Sequence, residues 1–148
     1  MGIFNSDILE GRVALVTGGG TGIGKEIART LAKHGARIAI CSRKGDVLEA
    51  ARAEFEAEGI DCLVANCDVR DEEVVEAVVD RVVSELGGLH IVVNNAAGNF
   101  PATIEGLSYN GFRTIVDIDL QGTYNVTWDG KNDLGQRICD VIVLFDFT

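Results

Sequence analysis

Five of the seven residues from Gly18 to Gly24 are glycine, in the stretch "ALVTGGGTGIGKEIA" that runs from Ala14 to Ala28. A short apolar run precedes them and residues at helical spacing follow. Glycines in that place let the backbone turn sharply and let a pyrophosphate approach the N–H groups at a helix start, where the dipole favours negative charge. The loop residues in question are Gly18, Gly20, Thr21, Gly22, Ile23 and Gly24. The competing explanation is a tight turn that needs glycine for its dihedral angles and binds nothing. The order is Thr17-Gly18-x-x-x-Gly22-x-Gly24. Gly-x-Gly-x-x-Gly is not present, because the sixth position counted from Gly18 is Ile23 and from Gly20 is Lys25. No comparable metal-binding set stands out. The four cysteines show no Cys-x-x-Cys spacing, and the set Asp129, Asn132 and Asp133, which could suggest calcium, has Lys131 at an expected ligand position and Leu134 where a glycine is required.

The elements around the loop alternate. Short β-branched runs at 12–17, 36–42, 61–69 and 89–98 predict strands. Between them, Ile23, Ile27, Ala28, Leu31 and Ala32 repeat at helical spacing up to His34-Gly35. Residues 45–59 place Leu48, Ala51 and Phe55 on one face, and 70–88 carry a valine stripe behind Asp71, Glu72 and Glu73 at the helix's positive end. Strands alternating with such helices predict an α/β protein, a parallel sheet covered on both faces, with ligands bound where the strands end. One domain suits 148 residues, and 18 glycines against one proline suit tight turns rather than disorder. A net charge of −10 argues against nucleic acid or an acidic membrane surface as partner. No window is long or apolar enough to span a bilayer, and the start lacks a secretory pattern. Reduced, buried cysteines predict a cytoplasmic chain. In such a chain the formal glycosylation pattern Asn125-Val126-Thr127 has no consequence.

The glycine pattern together with "NNAAG" at 94–98, some seventy residues on and at the end of the fourth strand, resembles the short-chain dehydrogenase/reductase family. "NNAAGNF" and "DIDLQGT" are closest in look to its 2,4-dienoyl-CoA reductases. The resemblance spans about residues 8–127. It implies a Rossmann-like doubly wound sheet, a nicotinamide dinucleotide, an unsaturated acyl thioester as substrate, and homo-oligomers. Cofactor choice can be read locally. Where an acidic residue would hold the ribose hydroxyls of NAD, this chain has Ser42-Arg43-Lys44, and a guanidinium suits the 2′-phosphate of NADP. Solvated turn residues are the plainer alternative there. By the resemblance, Asp68 and Val69 would meet adenine, Asn95, Ala96 and Gly98 would pass the nicotinamide ribose, and Asn99 and Phe100 would shape substrate access.

For catalysis the same resemblance requires Tyr-x-x-x-Lys after a serine, and the chain has neither spacing: Arg113 follows Tyr109 and Trp128 follows Tyr124 by four. In the dienoyl-CoA branch an aspartate can act with the lysine. Asp119, three residues before Gly122, occupies the place of a family asparagine, or else is a helix-face carboxylate with no proton to move. From Trp128 onward the family likeness ends. "WDGKNDLG" is turn-rich, and "ICDVIVLFDF" reads as a buried or edge strand. The expected division is a 1–127 dinucleotide-binding region, truncated after the helix that follows strand four, and a divergent 128–148 tail. That tail stands in for strand five, is an accidental end, or comes from a fusion. Two functions follow: an NADPH-dependent reductase by descent, now incomplete, or a non-catalytic nucleotide-binding fragment.

Overall fold

The computed structural model describes residues 5–98, 103, 105–128 and 140–143. In chain order they form β1 (Val13–Thr17), α1 (Gly22–Lys33), β2 (Arg37–Ser42), α2 (Gly45–Ala57), β3 (Cys62–Asn66), α3 (Glu72–Leu86), β4 (Ile91–Asn94), α4 (Tyr109–Val116), a π-helical turn (Asp117–Gln121), α5 (Gly122–Trp128) and β5 (Asp140–Val143). The sheet order is β3-β2-β1-β4-β5, every pair parallel. The chain winds outward from β1 to β3, then returns across the sheet to lay β4 on the other side of β1. That reversal puts a crevice at the carboxyl ends of β1 and β4. The apolar tail run contributes a strand whose backbone pairs Ile91 with Asp140 and Asn94 with Val143, so β4 is flanked on both sides.

Alternation along the strands sorts the core into two layers. Val13, Leu15, Ala39, Cys41, Leu63 and Val92 point to the face covered by α3 and α5, where Val75, Val78, Val79, Val82 and Val126 meet them. Ala14, Val16, Ile38, Ile40, Ile91 and Val93 point to the face covered by α1 and α2, filled by Ala28, Leu48, Ala51 and Phe55. Each face is continuously apolar, as a sheet buried on both sides requires. The start of the β1–β4 ladder is closed by a side chain: His90 Nδ1 accepts the Val13 N–H at 3.0 Å while the His90 N–H donates to Val13 O at 2.9 Å.

The helices end where the sequence puts their signals. Asp71 caps α3 by accepting the Val74 N–H at 3.3 Å, with Glu72 and Glu73 in the first turn, and Gly87 closes it in the left-handed conformation. On the outside of the other layer, Lys25 pairs with Glu54 at 2.8 Å, Arg29 with Glu58 at 2.8 Å, and the Arg29 guanidinium lies 5.4 Å from the Phe55 ring centre. Such exposed pairs orient α1 against α2 more than they stabilise either. Phe55 does more, being fully buried between α2 and the sheet. Phe55→Ala is expected to cost about 3–5 kcal/mol, read as a lowered urea midpoint with unchanged slope.

Candidate functional site

A cleft of about 810 Å³ opens over the carboxyl ends of β1 to β4. Gly18, Gly20, Thr21, Gly22, Ile23 and Gly24 form one wall of it. Ser42, Arg43 and Lys44 enter from the end of β2, Asp68 and Val69 from beyond β3, and Asn95 and Ala96 from beyond β4. Of the cofactor-side residues singled out in the sequence, Gly98 alone is not among the lining residues. Asn99 and Phe100 lie outside the described residues. The sequence reading missed Cys41, Val47, Cys67, Ala97 and Ile118, which complete the wall. Cys41 and Cys67 could have been found from their places at the ends of β2 and β3; Ile118 carries no local signal, because only helix packing brings it there.

One hydroxyl joins the two sides of the crevice. Buried Thr17, the last residue of β1, accepts the N–H groups of Asn95 at 3.0 Å and Ala96 at 2.9 Å through Oγ1, and donates to Val93 O at 3.4 Å. Asn95 returns the contact, its Nδ2 donating to Thr17 O at 3.1 Å and Gly18 O at 3.3 Å. Glycine is obligatory at two points of this junction. Gly18 has φ +65°, and a Cβ on Gly24 would stand 2.6 Å from Gly18 O and closer still to Asn95 Nδ2. The loop is therefore packed as well as turned.

The start of α1 is left open. Thr21 precedes it in extended conformation without a side-chain cap, and its first turn has no acidic residue. By contrast, Asp71 caps α3 and Ser108 caps α4. Uncapped N–H groups at a helix start need an acceptor, and an anion in the cleft is one. Arg43 and Lys44, the cationic lining residues, form no ion pair among the described residues. Asp68 is the acidic one, and it is committed. Its carboxylate accepts from Arg70 Nε at 2.9 Å and 3.2 Å and from the Arg70 N–H at 3.1 Å. The Arg70 guanidinium holds that carboxyl below the usual carboxylate range. Arg70 was not singled out from the sequence, though its position two residues after Asp68 allows this contact. The cleft of an acidic protein is thus locally positive.

Asp119 sits in the π-helical turn between α4 and α5, and its Oδ1 accepts the Gly98 N–H at 2.9 Å. This bond ties the segment leaving β4 to the helix, and the wider turn carries Ile118 into the cleft wall. Asn125, buried at 5 % exposure, donates to Val69 O at 2.9 Å and accepts from Gln121 Nε2 at 2.8 Å. Its amide is used inside the protein, which gives the formal glycosylation pattern a structural role instead. Asn94 Nδ2 donates to Thr127 Oγ1 at 3.1 Å on the same side. No group of three metal-ligating side chains, and no helix long and apolar enough to cross a membrane, occurs among the described residues.

Comparison with known proteins agrees with this architecture. A family model described as short chain dehydrogenase matches residues 12–143, beyond the Thr127 limit at which the motif-level likeness stops, and so takes in β5. The chain is 48% identical over 123 residues to a peroxisomal 2,4-dienoyl-CoA reductase of Arabidopsis thaliana, covering 83% of this chain and 41% of the relative. It is 44% identical to the rat (Rattus norvegicus) peroxisomal 2,4-dienoyl-CoA reductase over 126 residues, covering 84% and 43%. Among solved structures, a citronellol catabolism dehydrogenase of Pseudomonas aeruginosa PAO1 superposes with a TM-score of 0.80 at 35% identity, over 86% of this chain and 52% of that one. The chain spans about two fifths of the length of these curated relatives.

Thr17→Val keeps the shape of the side chain and removes the acceptor of two N–H groups. It is expected to cost about 1–3 kcal/mol in chemical denaturation, and Thr17→Ser should recover most of that loss.

Proposed function

The chain belongs to the short-chain dehydrogenase family, and from that premise we propose that its cleft binds NADPH for the reduction of an unsaturated acyl thioester. The observation that carries the cofactor half is the open, acid-free start of α1 facing a cleft whose lining cations are Arg43 and Lys44. The amides of Gly22, Ile23 and Gly24 would receive the pyrophosphate, and Gly18, Gly20 and Thr21 would let it approach. Ser42, Arg43 and Lys44 would hold the 2′-phosphate, the guanidinium by paired N–H groups. Asp68, steadied by Arg70, and the Val69 N–H would face adenine. Asn95, Ala96 and Gly98 would flank the nicotinamide ribose. When bound, NADPH supplies the hydride.

The substrate half draws on the relatives named as 2,4-dienoyl-CoA reductases, and Asn99 and Phe100 are the proposed contacts. Asp119, held against Gly98 at the nicotinamide end, is the proposed catalytic carboxylate. A specific observation favours a second reading for these 148 residues by themselves: neither tyrosine is followed four residues later by lysine. On that reading they bind the dinucleotide without turnover. The buried, unpaired Cys41, Cys62 and Cys67 support an intracellular site, cytoplasmic as read from composition or peroxisomal as in the relatives' names, and fractionation separates the two. Self-association, which the family likeness implies, is read by sedimentation.

Thermal-shift titration tests the cofactor. NADPH should raise the melting temperature at lower concentration than NADH. Arg43→Asp should weaken NADPH by at least about tenfold, the worth of one charge-assisted phosphate contact, and leave NADH unchanged or better. Equal response to both cofactors in the parent protein would overturn the phosphate role. A spectrophotometric assay with a dienoyl-CoA separates the two readings: NADPH binding without oxidation supports the second. Robust turnover would reject the binding-only reading and leave Asp119→Asn as the next measurement.

A further inference from the structure

The dinucleotide reading gives no part to Asn125, a buried polar residue in α5. Its amide is oriented by its partners. Val69 O can only accept, so the amide nitrogen faces it, at 2.9 Å, and the amide oxygen accepts Gln121 Nε2 at 2.8 Å. The helix stands against Val69 as closely as glycine permits: a Cβ on Gly122 would lie 2.5 Å from Val69 Cγ2. The Val69 carbonyl shares one rigid peptide plane with the Arg70 N–H. That N–H donates to Asp68 Oδ1 at 3.1 Å. The plane is thus held at both ends, by Asn125 on its carbonyl and by the Asp68 carboxylate on its amide. The Asp71 N–H donates to Asp68 O at 3.0 Å and closes the turn around it.

We propose that Asn125 is a positioning residue for base recognition: through the Val69–Arg70 peptide plane it aims the Asp68 carboxylate and the Val69 N–H at the adenine edge of the dinucleotide. This rests on the dinucleotide reading. Adenine presents an amino group that donates beside a ring nitrogen that accepts. The Asp68 carboxylate and the Val69 N–H are the complementary acceptor and donor. Arg70 Nε also reaches the carboxylate at 2.9 Å, yet a carboxylate offers about four lone-pair sites, so room remains for the base. Hypoxanthine presents the reverse pattern, a carbonyl oxygen beside a ring N–H, while its sugars and phosphates are the same. Discrimination between the two bases therefore depends on where this carboxylate and this amide point.

Asp68 and its partner Arg70 are both partly open to solvent, so their ion pair alone does not fix the carboxylate. The peptide plane does, and its anchor in the buried interior is Asn125. Remove that donor and Val69 O is left buried without its partner. The plane then tilts toward water, the Arg70 N–H leaves Oδ1, and the carboxylate follows the exposed Arg70 side chain.

The test measures the dissociation constants of NADP⁺ and of nicotinamide hypoxanthine dinucleotide phosphate by titration calorimetry. The parent protein should bind NADP⁺ at least about tenfold more tightly, the worth of one inverted hydrogen bond. Asn125→Leu keeps the approximate shape and cannot donate. It should weaken NADP⁺ about fivefold or more and the analogue less than about twofold, bringing the ratio toward one. Arg43→Asp should weaken both and keep their ratio, because the 2′-phosphate is common to them. If Asn125→Leu does not fold, Gln121→Ala, at an exposed position, withdraws the support of the Asn125 amide and should lower the ratio about twofold. NADP⁺ binding with an unchanged ratio in the variant, including equal loss of both ligands, would overturn the positioning role and keep the dinucleotide reading. A parent protein that binds both ligands equally would overturn adenine recognition by Asp68 and this proposal with it. A folded parent protein that binds neither would reject the dinucleotide reading and the proposal together.

Discussion

The site depends on the close approach of two backbone segments, the turn that leaves β1 and the turn that leaves β4. Parallel strands winding in opposite directions from β1 leave their connections on opposite sides of the crevice, and nothing in the ladder itself draws those connections together. Thr17 does. Its hydroxyl accepts both N–H groups of the β4 turn, and Asn95 closes the loop onto Thr17 and Gly18. A side chain on Gly24 would occupy the space that Asn95 uses. The glycine at that position is a packing requirement first, and an open approach for a ligand second.

Charge is distributed so that the cleft differs from the rest of the molecule. The chain carries −10 overall, and most of the cations among the described residues are spent on pairs such as Lys25–Glu54 and Arg81–Glu85. Arg43 and Lys44 are left at the cleft, and Asp68, the acidic residue in its lining, is paired with Arg70. The helix ends follow the same division. Acids and caps satisfy the start of α3, while α1 begins with bare amides. Both features favour an anion at one place without a positive protein to attract anions everywhere.

The far wall is set by the π-helical turn. One extra residue in the helix after β4 shifts the register between α4 and α5. That shift lets Asp119 reach the Gly98 N–H, while Asn125 reaches Val69 O. These two bonds fix the segments beyond β4 and β3, so the floor and wall of the cleft are held from behind as well as from Thr17.

The sequence by itself determined the alternation of strands and helices, the open loop before α1 and the cations after β2, because each is encoded by neighbours within one or two turns of chain. Hydrophobic period, glycine placement and helix caps are local physics, and the element ends moved by only a few residues. The motifs also placed Asp68 and Asn95 beside the loop. Asp68 has its partner Arg70 two residues on, whereas the partners of Asn95 were decided by the tertiary structure alone. The Thr17 bridge and the contact of Asp119 with Gly98 depend on strand order and helix register, as does the choice of a strand beside β4 among the readings of the tail. Cross-chain contacts of this kind have no local periodicity to announce them. They arise only when a sheet that reverses direction at β1 brings the ends of distant strands to a common edge.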